Sequence, residues 1–307
     1  MSTNGAEIRA VLVAADPSGL YALTLQRSGD NRDAVLRLPS TAFDPGRGQS
    51  LQQCLRDWAS IHTTAKIGHV AQLGVHARDG RISIGLLALV RDRQAFMPRG
   101  VSWTALKEVF PWEDRLAGEP DALAHVLRPA LATWADAAPG DRSAGRHARI
   151  AQLFGADNRT WQARLCDARF ALLYEAALVA EALRDGASAA VGVRPRHAEI
   201  YGRIMHGDDR HILCGALALL RKELACAPVM AALMDAPFTL GHLQKTVQAV
   251  TGQPLHTANF RRDLTRSGQI RALGKKGRIG ASRRAALWQW CETGVSGPGM
   301  PLPLKKP

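Results

Sequence analysis

The sequence predicts an α+β chain: a strand-rich N-terminal α/β/α sandwich, a helical middle, and a C-terminal helix–turn–helix closed by a basic hairpin. Three observations predict it. Short β-type runs separated by turn residues fill roughly the first 115 residues. Helical patterns rich in Ala and Leu replace them from about Pro120. Apolar residues at helical spacing then flank a Gly/Pro break between Phe238 and Leu264, just ahead of the basic stretch Gly274–Arg284.

Glu7–Ala15, Tyr21–Gln26, Ala34–Leu38, His69–His76 and Arg81–Val90 read as strands. Asp79-Gly80 between the last two predicts a tight hairpin. One helix, about Ser50–Thr63, interrupts them. Asp121–Ala135 is helical, with a kink or break expected at Pro129 and an end before Pro139-Gly140. Arg149–Phe154 is a short helix, and Trp161–Asp185 is expected as one long packed helix. Gly186–Pro195 is a linker of small residues, and Asp209–Leu224 and Ala227–Met234 are helices. The tail Gly294–Pro307, rich in Pro and Gly, is expected to be disordered. Domain limits fall at 1–140, 141–205 and 206–293, with the tail at 294–307.

Leu240, Leu243, Val247 and Val250 give the first helix of the C-terminal unit one apolar face. Thr251-Gly252-Gln253-Pro254 ends it, and His256 or Thr257 starts a second helix. Phe260 and Leu264, four apart, face inward, which leaves Asn259, Arg261, Arg262 and Arg266 outside with Thr257 at the start. An exposed helix bearing Asn and Arg suits the major groove, because Asn pairs bidentately with adenine and Arg with guanine. Lys275, Lys276 and Arg278 lie between Gly274 and Gly280 in a turn that is either a wing or an exposed loop without a partner.

Charge supports a polyanion as partner of this unit. From Pro237 to Pro307 there are 12 Lys and Arg against 2 acids, a net of +10 out of +13 for the chain. Most of these charges would touch phosphates and set affinity, not sequence choice. No apolar run of about 18 residues exists, so no membrane span is expected. MSTNGAEIRA lacks the layout of a signal peptide. The 5 cysteines are widely spaced with no CxxC pair, which points to neither a zinc site nor a disulfide framework and fits a reducing cytoplasm.

The segment from Leu36 to Asp92 resembles a Nudix hydrolase core. In that family a helix carries Arg-Glu-x-x-Glu-Glu-x-Gly, whose carboxylates hold Mg²⁺ against a diphosphate while the metal activates water. Here the segment reads Arg56-Asp57-Trp58-Ala59-Ser60-Ile61-His62-Thr63. Arg56 and Asp57 match in kind, but Ser60 and Ile61 stand where two metal-binding glutamates belong, and Thr63 replaces the glycine. The resemblance implies a Nudix-like fold without hydrolysis: no catalytic residue, no metal and no required cofactor. Such a fold still binds nucleotides. Arg37, Arg56 and Arg78 are candidate phosphate partners, with a plain surface arginine as the alternative for each.

An eroded Nudix-like domain followed by a winged helix-turn-helix resembles the Nudix-related transcriptional regulators of NAD metabolism, and within them the alphaproteobacterial branch. Ala71–Val90 looks like that family's hairpin after the box, Asp208–Gln244 like its linking helix, His256–Leu264 like its recognition helix and Gly277–Trp288 like its wing. The departure is about 60 extra residues, roughly Asp141–Gly202, between the halves. The resemblance implies a homodimeric repressor of NAD biosynthesis or salvage genes on a palindromic double-stranded DNA operator. It also implies an adenine nucleotide effector: NAD, ADP-ribose or ATP, acting as corepressor or inducer. Two other readings stand: a nucleoside diphosphate hydrolase using Asp57 and Glu108, and an RNA-binding or scaffold protein using the same basic domain.

Overall fold

Strand β1 (Ala6–Asp16) is apolar on both faces, so both must be covered. Ile8, Ala10, Leu12 and Ala14 pack into a small core with Leu55 of helix α1 (Leu51–His62). Val11, Val13 and Ala15 face a much larger core on the other side. A computed structural model describes residues 6–26, 35–62, 67–78, 80–94, 101–155, 160–188, 198–224, 227–278 and 284–291. Around β1 it places β2 (Gly19–Gln26), β3 (Leu36–Arg37), β4 (Ser40–Phe43), β5 (Ile67–Arg78), β6 (Arg81–Val90) and β7 (Val101–Ala105). The order is β3-β2-β1-β6-β5, with β4 pairing β1 and β7 pairing β2. β1 and β6 run parallel from Ala6↔Ile82 to Val13↔Leu89. The β5–β6 hairpin closes at Arg78↔Arg81 with Gly80 at φ 74°, while Asp79 lies outside the described residues.

Four of the five expected strands form much as expected, and the one expected at Ala34–Leu38 is a strand only at Leu36–Arg37, with Ala34 outside the described residues. β4 and β7, too short to stand out from periodicity, join them. After α2 (Leu106–Val109), a π turn at Leu123–Leu127 runs into α3 (Arg128–Asp136) without a break at Pro129. The proline sits at the start of α3, where a missing N–H costs little. Helix α4 spans Asp141–Phe154. Its polar first half, DRSAGRHA, hid it from the sequence reading of Arg149–Phe154 alone.

The long helix expected over Trp161–Asp185 is broken. A 3₁₀ turn at Ala163–Leu165 leads into α5 (Cys166–Glu175), and α6 (Ala180–Arg184) follows a reversal. Ala177 adopts φ 53°, and Leu178 N–H reaches back to Leu173 O at 2.8 Å. That closure buries Ala176, Ala177, Leu178 and Val179 together, a tertiary gain that overrides helix propensity. The Gly186–Pro195 linker lies mostly, and the 294–307 tail wholly, outside the described residues.

Helix α7 (Ala198–Tyr201) precedes α8 (Asp209–Glu223), which lies across the sheet on the face opposite α1. Helix α9 (Ala227–Leu233) then leads to α10 (Leu240–Thr251), α11 (Thr257–Arg266), β8 (Ile270–Gly277) and β9 (Ala285–Trp290). The large core is continuous from Val11 and Leu87 of the sheet, through Leu213 and Leu220 of α8, to Val247, Phe260 and Leu264. Among the described residues, no helix is long and apolar enough to cross a membrane.

Candidate nucleic-acid interface

Helix α10 begins where the Thr239 hydroxyl accepts from the His242 N–H at 3.2 Å, an N-cap. It ends at Gly252, left-handed at φ 67°. Helix α11 begins at His256, whose ring nitrogen accepts from Asn259 N–H. Phe260 and Leu264 are buried against Leu243, Val247 and Val250, which fixes the outward face of α11. On that face Thr257, Arg261, Arg262 and Arg266 are exposed, and Asn259 is half-buried at its edge. Thr257 and Arg261 are one turn apart and share one line along the helix. Arg262 Nε donates to Asp263 Oδ1 at 2.9 Å, so this guanidinium is partly compensated.

The basic turn is a hairpin. β8 and β9 pair antiparallel from Ile270↔Trp290 to Gly277↔Ala285, with a bulge between Ala272 and Lys276. Phe238 exchanges both backbone hydrogen bonds with Trp288 (2.9 and 2.8 Å), which ties the segment before α10 to the hairpin. Lys275, Lys276 and Arg278 are exposed towards its free end. Residues 279–283, including Arg283, lie outside the described residues.

The turn between α10 and α11 is anchored to the rest of the chain. Arg115 N–H donates to Gly252 O at 2.7 Å, and Arg221 of α8 donates to Val250 O at 2.9 Å. A Cβ on Gly252 would stand 2.2 Å from Glu113 O. The Glu113 carboxylate is itself buried between Arg169 of α5 (2.6 and 2.8 Å) and Arg221 (2.5 Å). Burial pushes its carboxyl up, but the two guanidinium groups outweigh this and hold it below its ordinary range. Arg169 also lies over the Trp161 ring, 4.2 Å from its centre. A second buried pair, Arg210–Glu181 at 3.0 Å, joins α8 to α6, and Arg210 also donates to Val109 O at 2.6 Å. Sequence reading missed both pairs; their one local signal is an arginine beside an apolar run, as Arg169 before FALL in CDARFALLYE.

Residues 230–290 match the family model described as the NrtR DNA-binding winged helix domain. The C-terminal domain is therefore an NrtR-type winged helix. The fold of the whole chain is similar to that of Shewanella oneidensis NrtR crystallised with a 27mer DNA, at TM-score 0.51 and 16% identity over 94% of this chain and 95% of that one. Shewanella oneidensis NrtR without that DNA gives TM-score 0.51 and 16% identity over 95% and 96%. A MutT/nudix family protein from Enterococcus faecalis gives 0.50 and 14% over 94% and 89%. At these identities the likeness is one of fold, and it extends to the N-terminal Nudix-like sandwich. No curated protein matches the sequence.

In the NrtR-like architecture the three predicted effector arginines do not converge. Arg56, exposed on α1, donates to Ile67 O (3.0 Å) and Gly68 O (3.3 Å) of β5. Arg78 sits by the start of α8, with Nε on Asp208 at 2.8 Å and both terminal nitrogens on Asp185 at 2.9 Å. Hydrogen bonds to these carboxylates raise its pKa, and a phosphate would have to displace them. Arg37 is exposed on β3 and is among the charges that act on His206 and Asp209 at the same end of α8. On α1, Asp57 accepts from Gln49 (3.1 Å) and Gln53 (2.7 Å), Ser60 donates to Asp57 O, and the Ile61 side chain is 78% exposed. A cavity of about 440 Å³ lies at the C-terminal ends of β1 and β6 against α10, lined by Asp16, Arg91, Arg93, Phe238 and His242 among others, and by none of the three arginines.

Proposed function

We propose that the chain is a DNA-binding transcriptional repressor of NAD biosynthesis or salvage genes, controlled by an adenine nucleotide in its Nudix-like domain. The observation that carries this is the winged helix at residues 230–290, with its exposed Thr257, Arg261, Arg262 and Arg266 beside a basic hairpin. Asn259 and Arg261 read base edges, while Arg262, Arg266, Lys275, Lys276 and Arg278 hold phosphates and Thr257 contacts DNA at the start of α11. The chain acts as a homodimer, so that two recognition helices meet a palindrome one helical turn apart. NrtR of Shewanella oneidensis, whose fold it shares, was crystallised on a 27mer DNA.

The Nudix-like domain senses and does not hydrolyse. Ser60 and Ile61 offer no carboxylate to a divalent cation, which needs several oxygen ligands. The hydrolase reading needs Asp57 and Glu108 together. Helix α1 packs into the small core and α2 into the large one, on opposite faces of the sheet, and Glu108 faces Arg203 at 3.6 Å. The effector is NAD, ADP-ribose or ATP, with Arg37, Arg56 and Arg78 as separate candidates for its phosphates, since the three do not share one site. It acts by differential affinity for DNA-competent and incompetent dimers.

Selection of duplexes from a random-sequence pool tests the DNA half of this reading. The expected product is a palindrome with half-sites about 10 bp apart, bound at least 10³ times more tightly than scrambled duplex. Enrichment of no sequence, with retention that depends on salt alone, would refute it.

A further inference from the structure

Gln244 is a polar residue on the buried side of α10, 6% exposed. Its Nε2 lies 3.0 Å from Leu255 O and 3.0 Å from Thr257 Oγ1. A backbone carbonyl only accepts, so the atom between these two oxygens is the amide nitrogen, and both its hydrogens are committed. The Thr257 hydroxyl is therefore an acceptor towards Gln244. It keeps one proton, which cannot go to the amide and is left for another acceptor, and Thr257 is exposed as the first residue of α11.

We propose that Gln244 is a positioning residue that makes the Thr257 hydroxyl an outward donor to an acceptor atom on DNA. This rests on the DNA-binding reading above. A free hydroxyl rotates and donates or accepts equally well, whereas one that accepts from a buried amide has fewer proton positions open to it and is biased to donate at binding. The acceptor is a phosphate oxygen or a purine N7 or O6 in the major groove. The same amide also donates to Leu255 O in the α10–α11 turn, which fixes the amide itself in place.

A double-mutant cycle on full-length protein tests the link, with a duplex enriched from the random pool and a scrambled duplex as probes. Thr257→Val keeps the shape and removes the hydroxyl; Gln244→Met removes both donors. Each single variant is expected to weaken binding about tenfold, and the double variant also about tenfold, because both act through one proton. Losses that multiply to about a hundredfold, or a Gln244→Met protein that binds like wild type, would overturn the proposal. Should Gln244→Met fail to fold, Thr257→Ser is expected to bind within about twofold of wild type while Thr257→Val does not; equal losses would overturn it. Loss confined to the enriched duplex assigns a base as acceptor, and equal loss on both duplexes with a shallower salt slope assigns a phosphate. If wild type binds neither duplex, the DNA-binding reading fails first; binding without coupling sinks only the role of Gln244.

Discussion

Arg261 and Lys275 carry like charge at different places. Arg261 lies one turn from Thr257 on the outward face of α11, and Lys275 lies on the hairpin. Arg261→Ala or Asn259→Ala should cost about 1–3 kcal/mol on the specific duplex and little on scrambled DNA, read by equilibrium titration. Lys275→Ala should weaken binding on every sequence alike and lower the salt slope by about one counterion. Asp209 gives a pH prediction. It is buried, accepts from Leu38 N–H at 2.9 Å, and burial raises its pKa to about 6 despite Arg9 at 3.4 Å. A raised carboxyl pKa means the folded state holds its proton longer than the unfolded state. Its contribution to stability is thus full below about pH 4 and declines as pH rises to about 6. Asp209→Asn, which mimics the protonated form and still accepts from Leu38, should gain on wild type between pH 4 and pH 7 by up to about 3 kcal/mol in urea denaturation. The outward residues of α11 were legible because local period assigns their face. The carboxylates that claim Arg78 were not, since they lie 107 and 130 residues away.

At the scale of elements, helix–turn–helix and hairpin were legible because each is specified locally. Thr239 and Gly252 cap α10, and Phe260 and Leu264 fix the phase of α11. The segment Trp161–Asp185 was not, because its break has no Gly or Pro and arises from packing at Ala176–Val179. Phe260→Ala should destabilise the protein by about 3–5 kcal/mol through the cavity it leaves under α11. Gly252 has a double requirement, positive φ and no Cβ against Glu113 O. Gly252→Ala should therefore cost at least the 1–2 kcal/mol of a left-handed residue, with more from the collision, measured by urea denaturation. A Gly252→Ala protein as stable as wild type would mean that the turn does not rest on Glu113.

Over the whole molecule, the Nudix-like and winged-helix halves share one core and one buried charge node. Glu113 follows the sheet, Arg169 lies on α5 within the helical middle, and Arg221 of α8 reaches the carbonyl of Val250. Glu113→Gln leaves two buried guanidinium groups short of charge and should cost about 3–5 kcal/mol. The general two-part design was legible in the sequence, from strand-rich start, eroded box and basic end. The node was not, because it assembles residues 56 and 108 positions apart. Under the proposed function, this junction is where a ligand on one half would act on the other.

The measurement that tests this most directly is the affinity of the full-length protein for its enriched duplex with and without ADP-ribose, NAD and ATP, with recovery of each nucleotide afterwards. The account predicts that one of the three changes the affinity by at least about fivefold and is recovered intact. Affinity indifferent to all three, or a nucleotide returned cleaved in step with protein added, would contradict it.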